Sequence, residues 1–494
     1  MIDSSESSNN RRDFLKTTGT VTAAGALSGI TLPKVHAAVD DTVKIGLVGC
    51  GGRGTGAVKN ALSLSAAFGP IKLVAMADVF QSHLDNRYRT LERNFKEKMD
   101  VPNDRRFISF DGYKGVIDSV GKGGVAIFTT PCAFRWVHFK YAIEKGVNVF
   151  MEKPVCGDAP SGRKLLELNK AAKKKNMKVG VGLMVRHCRG RQELWNRIQD
   201  GEIGDILMMR AYRMAGPIAS FQSKHQRDDK AYQGMSETLY QIKRFHSFLW
   251  LSGGAFSDYN IHQIDETSWM KNDWPVEAHA VGGRHYKIDR KDGKEWADQN
   301  FDSYSVEYTY PDGTKLHFDG RNMIGCTNDF ASYVHGTKGS GIVSMASHTP
   351  GKVRTFTDQH VSKNLRAKNV KWAYPQPEAN PYDLEWEDLI NAIRNDEPYN
   401  EVDRGVRASM VTSMGRFAAH TGRKITWDEY KDNDHFLAPN ADTLTLDGPS
   451  PLQLDPDGRY PVPMPGVITK KEYMAKRRPP APAAGKPKKK AKKA

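Results

Sequence analysis

The chain has 494 residues, 39% apolar and 26% charged, which is long for one core and ordinary for two or three compact domains. Its 44 glycines and 25 prolines follow no period, and no repeat of about 20–50 residues recurs, which excludes collagen-like, solenoid and propeller architectures. Of the formal charge of +16, residues 475–494 carry +9 and residues 1–37 carry +1, so the +6 left to 38–474 is no nucleic-acid-binding signature, and no apolar run reaches the roughly 18 residues of a spanning helix.

In chain order, residues 1–37 read as an address. Arg11-Arg12 precedes Phe14-Leu15-Lys16, a weakly apolar stretch from Thr17 to Leu32, and Val35-His36-Ala37, which offers small residues at the two cleavage-reading positions. That order is the pattern of a twin-arginine (Tat) export signal cleaved after Ala37, so the Tat translocase is an expected partner and the location is periplasmic or otherwise exported; a chance Arg-Arg pair in a flexible N-terminus is the alternative. Tat cargo crosses the membrane folded, so it can load a cofactor beforehand. The five cysteines, Cys50, Cys132, Cys156, Cys188 and Cys326, have no C-x-x-C spacing and make no disulfide framework.

Val43–Val48 is a short apolar run of the buried-strand type. It leads into Gly49-Cys50-Gly51-Gly52-Arg53-Gly54, a G-x-G-x-x-G loop, and then into a helical stretch from Thr55 to Leu64. Gly49 suits the tight turn, Gly51 a close approach to pyrophosphate, and Gly54 the packing of helix on strand. A second strand, Ile71–Ala77, ends at Asp78, 24 residues beyond Gly54. An acid there accepts from an adenosine ribose and repels a 2′-phosphate, which favours NAD over NADP; a plain helix N-cap is the other reading. Strands over Phe107–Phe110, Val125–Thr129 and Asn148–Met151, with a helix over Trp136–Lys145, predict a doubly wound parallel sheet of the Rossmann type.

The last of these strands runs into Glu152-Lys153-Pro154. With the glycine loop, Thr130-Pro131 followed by His138, and Gly253-Gly254 followed by Asp258, His262 and Asp265, the chain from about 43 to 425 resembles the Gfo/Idh/MocA family, named after glucose-fructose oxidoreductase and inositol dehydrogenase. The resemblance implies an α/β fold: an N-terminal Rossmann domain and a C-terminal α+β domain with a large open, mostly antiparallel sheet. It implies that the loop residues Gly49, Gly51, Gly52, Arg53 and Gly54, with Asp78, Thr130, Pro131, His138, Glu152 and Lys153, bind the nicotinamide cofactor. It also implies that Lys153 is the catalytic lysine, that Lys153-Pro154 is cis, and that subunits associate through the outer face of the large sheet. A lysine at the carboxyl end of a parallel strand sits where such sheets bind ligands, and its ammonium stabilises a developing alkoxide.

Strands over Val179–Leu183 and Ile206–Tyr212 flank a helix over Gln192–Gln199. With Ser257 as helix cap, Asp258, His262 and Asp265 fall at i, i+4 and i+7 on one face, a row that suits a general base whose tautomer a carboxylate holds. In the family pattern the histidine takes the hydroxyl proton and the acid positions substrate; these roles go to His262 and Asp258, with Asp265 and Arg186 as further substrate-binding candidates. No metal-ligand spacing occurs, and hydride transfer needs no metal. Residues 220–247 read as a substrate lid or a surface excursion. Strands follow over Ala278–Val281, Tyr304–Tyr310, Lys315–Phe318 and Gly341–Ser344, then helices over Asp383–Arg394 and Val402–His420.

The expected domains are therefore the signal 1–37, the nucleotide-binding domain 38–156, the substrate and oligomerisation domain 157–432, an irregular surface wrap 433–474, and a disordered basic tail 475–494 that contacts anionic polymers or is simply solvated. The leading function is an exported NAD-dependent oxidoreductase acting on a sugar, polyol or glycoside with a tightly held cofactor. The alternatives are an NAD-dependent glycoside hydrolase working by transient C3 oxidation, and a non-catalytic cell-surface binding protein.

Overall fold

Six short runs rich in Val, Ile, Leu, Met and Phe pair side by side, each with few or no exposed positions, as strands covered on both faces must. They are β1 (Val43–Val48), β2 (Ile71–Asp78), β3 (Arg106–Ile108), β4 (Val125–Phe128), β5 (Asn148–Met151) and β6 (Val179–Val181). The structure is a computed structural model in which residues 41–285 and 287–474 are described, and from Thr42 on they belong to one unit. The export signal over 1–37 and the basic tail over 475–494 lie outside the described residues.

All six strands are parallel, in the order β3-β2-β1-β4-β5-β6, with the reversal of winding between β1 and β4. Register matters more for function than order. Val48 lies level with Ala77 and Phe128, and Phe128 with Met151. Gly49, Asp78, Thr129 and Glu152, the residues that follow these four, therefore leave the sheet along one edge. Ladder bonds continue past the strand ends: Thr129 N donates to Val48 O at 3.0 Å and Glu152 N to Phe128 O at 2.9 Å. The first sheet draws its sixth strand from beyond residue 156, so the expected division at 156/157 cuts through it.

The second sheet holds β7 (Ile206–Ala215), β8 (Glu277–Gly283), β9 (Ser303–Thr309), β10 (Lys315–Asn322), β11 (Asp329–Gly336), β12 (Ser340–Met345), β13 (Arg354–Phe356), β14 (Val370–Ala373) and β15 (Ile425–Thr426). Its order is β14-β13-β12-β11-β7-β10-β9-β8-β15, antiparallel throughout except for β7 against β10. β8, β9 and β10 alternate buried and exposed residues, with Leu316 and Phe318 inward and His317 outward. The helices Ile261–Lys271 and Val402–Thr421 cover the inner face, and the second of these is buried almost all round. Gly415 allows this closeness: a Cβ there would meet the Tyr308 hydroxyl at 2.0 Å.

Two expectations change. Ser257 caps no helix; it lies inside Gly254–Tyr259, whose cap is Gly253, and accepts from buried Arg416 at 2.6 Å. Gly253 and Gly254 both take left-handed backbone, φ 72° and 74°, which glycine adopts without the usual steric cost. Residues 433–474 carry no helix or strand, as expected, yet they do not stay on the surface. Glu472 is 1% exposed and makes a bidentate pair with Arg416 at 2.7 and 2.8 Å while accepting from His420 at 2.8 Å.

Candidate active site

The aligned strand ends open into a cleft of about 780 Å³ lined by Gly49, Gly51, Asp78, Phe110, Tyr113, Thr130 and His138, among others. Its floor is the turn after β1. Gly49 holds φ 98°, and a Cβ there would press on Thr130 N at 2.8 Å. A Cβ on Gly51 or Gly52 would meet nothing within 4 Å, whereas one on Gly54 would strike Gly49 O at 2.3 Å. Gly54 thus lets the helix Gly52–Ser63 pack against its own entry turn, while Gly51 leaves open space at that helix's N-terminus, where unpaired N–H groups attract anions.

Asp78 caps no helix; the N-cap of the following helix is Phe80. Its Oδ2 accepts from Cys50 N at 2.7 Å and its Oδ1 from Phe80 N at 2.9 Å, so the carboxylate ties the glycine loop to β2 and still faces the cleft. His138 stacks on Tyr113 with centroids 4.4 Å apart and lies 3.4 Å from Thr130 Oγ1. Burial, with Arg135 nearby, lowers its pKa to about 3, so it is a neutral aromatic wall. An open glycine turn at a helix N-terminus, a carboxylate at the next strand end and an aromatic side wall fit a dinucleotide.

A second cleft, about 960 Å³, shares Thr129, Thr130, Pro131 and Phe245 with the first. Here the chain brings Glu152 and Lys153 from the end of β5 against Asp258 and His262 from the helical stretch over 254–271. The Lys153–Pro154 peptide is cis. Lys153 Nζ donates to the main-chain oxygen of Asp258 and lies 3.7 Å from its Oδ1. His246 approaches the same carboxylate, with Nε2 3.7 Å from Asp258 Oδ2 and Nδ1 bonded to Ser220 Oγ at 3.0 Å. Glu152 is buried and holds Arg53 at 2.9 Å, which turns Arg53 toward this cleft rather than the nucleotide one.

His262 is buried, and its Nδ1 has no hydrogen-bond partner, which leaves Nε2 as the nitrogen available to the cleft. Burial first, then the charges of Lys153, Arg213, Arg191 and Arg53, hold its pKa well below the usual histidine range. The ring is neutral and can accept a proton. Among the described residues no carboxylate fixes its tautomer, contrary to the expected acid–imidazole–acid row.

Asp265 and Arg186 also depart from expectation. Asp265 is fully buried and takes a bidentate grip from Arg186 at 2.7 and 3.0 Å, and Arg186 lies over Trp269 and Trp274. Neither lines the cleft. The helix turns at Asn260, between Gly254–Tyr259 and Ile261–Lys271, which helps to separate Asp265 from the face of Asp258. Residues the sequence left unnamed complete the wall: Arg213 and Tyr259, His348 and Tyr382. Arg213 had a signal, since Met209, Ala211 and Arg213 share the inward parity of β7. His348 had none.

The segment that read as a lid or an excursion spans both clefts. Ile242, Lys243 and Phe245 line the first; Phe221, Phe245 and His246 line the second, with Ile218 and Ala219 just before the segment. Residues 433–474 fasten it. Gln241 donates to Leu452 O at 3.0 Å and accepts from Ser450 and Trp250, and Thr238 donates to Gly448 O at 2.8 Å.

Against known families, residues 192–342 match the model of the GFO/IDH/MocA C-terminal domain. The chain carries the Gfo/Idh/MocA C-terminal domain. Residues 8–28 match the TAT (twin-arginine translocation) signal sequence, which directs the chain to export by that pathway. Solved structures share the two-sheet fold. Aldose-aldose oxidoreductase from Caulobacter crescentus, complexed with glycerol, is 18% identical with TM-score 0.57, over 78% of this chain and 99% of that one. Levoglucosan dehydrogenase in complex with NADH and levoglucosan is 16% identical with TM-score 0.58 over the same shares. Myo-inositol 2-dehydrogenase from Lactobacillus plantarum is 20% identical with TM-score 0.54, again over 78% and 99%. No curated protein matches the sequence.

Proposed function

We propose that the protein is an exported dehydrogenase that moves hydride between a hydroxyl of a sugar or polyol and a tightly held NAD. The observation that carries this reading is the junction of the two clefts at Thr129–Pro131, with Lys153, Asp258 and neutral His262 on its far side. The helix N-terminus at Gly52 would hold the phosphates of a dinucleotide and Asp78 its ribose. When bound, the nicotinamide supplies the hydride acceptor. Lys153 donates from Nζ to the substrate oxygen and favours its alkoxide character as the C–H bond weakens. His262 accepts the hydroxyl proton at Nε2, and Asp258 holds Lys153 through both its main-chain and side-chain oxygens. The NADH complex of levoglucosan dehydrogenase supports a nicotinamide cofactor, and the charge of Asp78, which repels a 2′-phosphate, supports NAD.

The roof of Ile242, Lys243 and Phe245 over the first cleft favours a cofactor that stays through turnover. That suits an exported enzyme. It also keeps a second reading in view, a glycoside hydrolase that oxidises C3, eliminates the aglycone, adds water and reduces the ketone again.

Denaturing the purified mature protein and identifying the released nucleotide by mass spectrometry tests both. Stoichiometric NAD that turns to NADH with a sugar supports the dehydrogenase. Aglycone release without NADH accumulation supports the hydrolase. No nucleotide, and no uptake of added NAD or NADP, overturns the catalytic reading.

A further inference from the structure

The charges of the second cleft do not balance. Arg53 is matched by Glu152, and Lys153 by Asp258. Arg135 is buried and donates to the main-chain oxygens of Phe128 and Thr130 at 2.6 and 2.9 Å. Arg213 remains. It is 8% exposed, and among the described residues no carboxylate lies within ion-pair reach of it. The acid that acts on it, Glu266, is committed to Ser332 and Ser344 at 2.6 and 2.7 Å and to Arg191 at 3.4 Å. A buried cation without a partner is costly, and proteins that keep one give it a counter-charge from elsewhere.

The setting says what kind of counter-charge fits. The guanidinium lies 3.7 Å from the Tyr259 ring centroid and 4.4 Å from that of Phe330, so aromatic groups pack on it and its hydrogen bonds run from its edge. Nη1 bonds His348 Nε2 at 3.1 Å, and the His348 ring centroid is 4.3 Å from that of His262. An oxyanion received on that edge, in the fork geometry guanidinium offers, lies beside the proposed base.

We propose that Arg213 is the anion-binding group of the substrate pocket, and that the substrate is a sugar bearing a carboxylate or phosphate received at the edge of this guanidinium. The inference rests on the second cleft being the substrate site. It also bears on His262, whose basicity burial lowers first and nearby cations next: Arg213 is the one of those cations that no acid matches, and an anion on it offsets that charge.

The test uses the purified holoenzyme with D-glucuronate, glucose phosphate and glucose. Calorimetric binding is measured first, then KM and kcat for reduction of the bound nicotinamide, in wild type, Arg213→Met and Arg213→Lys. We expect at least one anionic sugar to bind wild type about tenfold or more tightly than glucose, and which one binds identifies the anion. Arg213→Met should raise KM for that sugar by about tenfold more than for glucose, and Arg213→Lys should recover part of the difference. Equal binding of all three sugars by wild type, or equal losses in the Met variant, overturns the proposal while leaving the dehydrogenase reading standing. Tight anionic binding lost in the Met variant, without any nicotinamide reduction, supports the anion site and overturns the dehydrogenase reading instead.

Discussion

Lys153 stands at the joint of the two clefts, and its replacement separates chemistry from binding. Lys153→Ala should lower kcat by at least about a hundredfold while the protein still retains its nucleotide, because the phosphate and ribose contacts lie on other elements. Nucleotide content by mass spectrometry beside single-turnover rates checks this. His187 gives a different prediction. It lies between Asp388 at 2.6 Å and Glu401 at 3.3 Å, and although burial opposes its charge, these carboxylates lift its pKa to about 9. The native state thus holds a proton that the unfolded chain releases near 6.5. Its contribution is complete below that pH and lost as pH rises through about 9. The melting temperature of wild type should fall over that interval, and that of His187→Gln should fall less. At this scale the sequence was partly legible. Lys153 and the glycine loop are short-range patterns tied to strand ends, and Asp258 follows a Gly-Gly pair in a short helix. The pairing of Arg186 with Asp265, and of Arg213 with no acid, depends on neighbours tens of residues away that local spacing does not encode.

Among elements, strands with uniform burial read most cleanly: β1 and β5 match their expected limits residue for residue. β11 was missed because Asp329–Gly336 mixes Ser, Tyr and His without alternation, and its single serine, Ser332, is spent on buried Glu266. The irregular 433–474 segment was legible as irregular and illegible as load-carrying, since no periodicity marks a loop that ends in a buried ion pair. Breaking that pair leaves Arg416 charged and buried, so Glu472→Ala should cost on the order of 3–5 kcal/mol, read as a lower midpoint in denaturant. Gln241 tests the fastening of the lid itself. Gln241→Ala removes contacts to Trp250, Ser450 and Leu452 together, and should speed nucleotide loss on dialysis of the folded protein. An unchanged rate would mean that the segment over 220–247 retains nothing.

For the whole molecule, an export signal, a roofed first cleft and a charge-lined second cleft fit the proposed enzyme, which would carry its redox partner across the membrane with it. Composition and charge set nucleic acid aside, the parallel sheet followed from strand patterns, and the second sheet was what the family resemblance implied. On the proposed reading the identity of the sugar rests on side chains from β7, the turn after β12 and the helical stretch before Asn260, which meet only in three dimensions. The central claim is that hydride passes from a sugar carbon to a resident nicotinamide. Incubating the holoenzyme with sugars deuterated at their ring carbons, and weighing the nucleotide released on denaturation, tests it most directly. Deuterium should appear in the reduced nucleotide of wild type and not of Lys153→Ala; nucleotide that is present yet takes up no label from any neutral or anionic sugar would contradict the account.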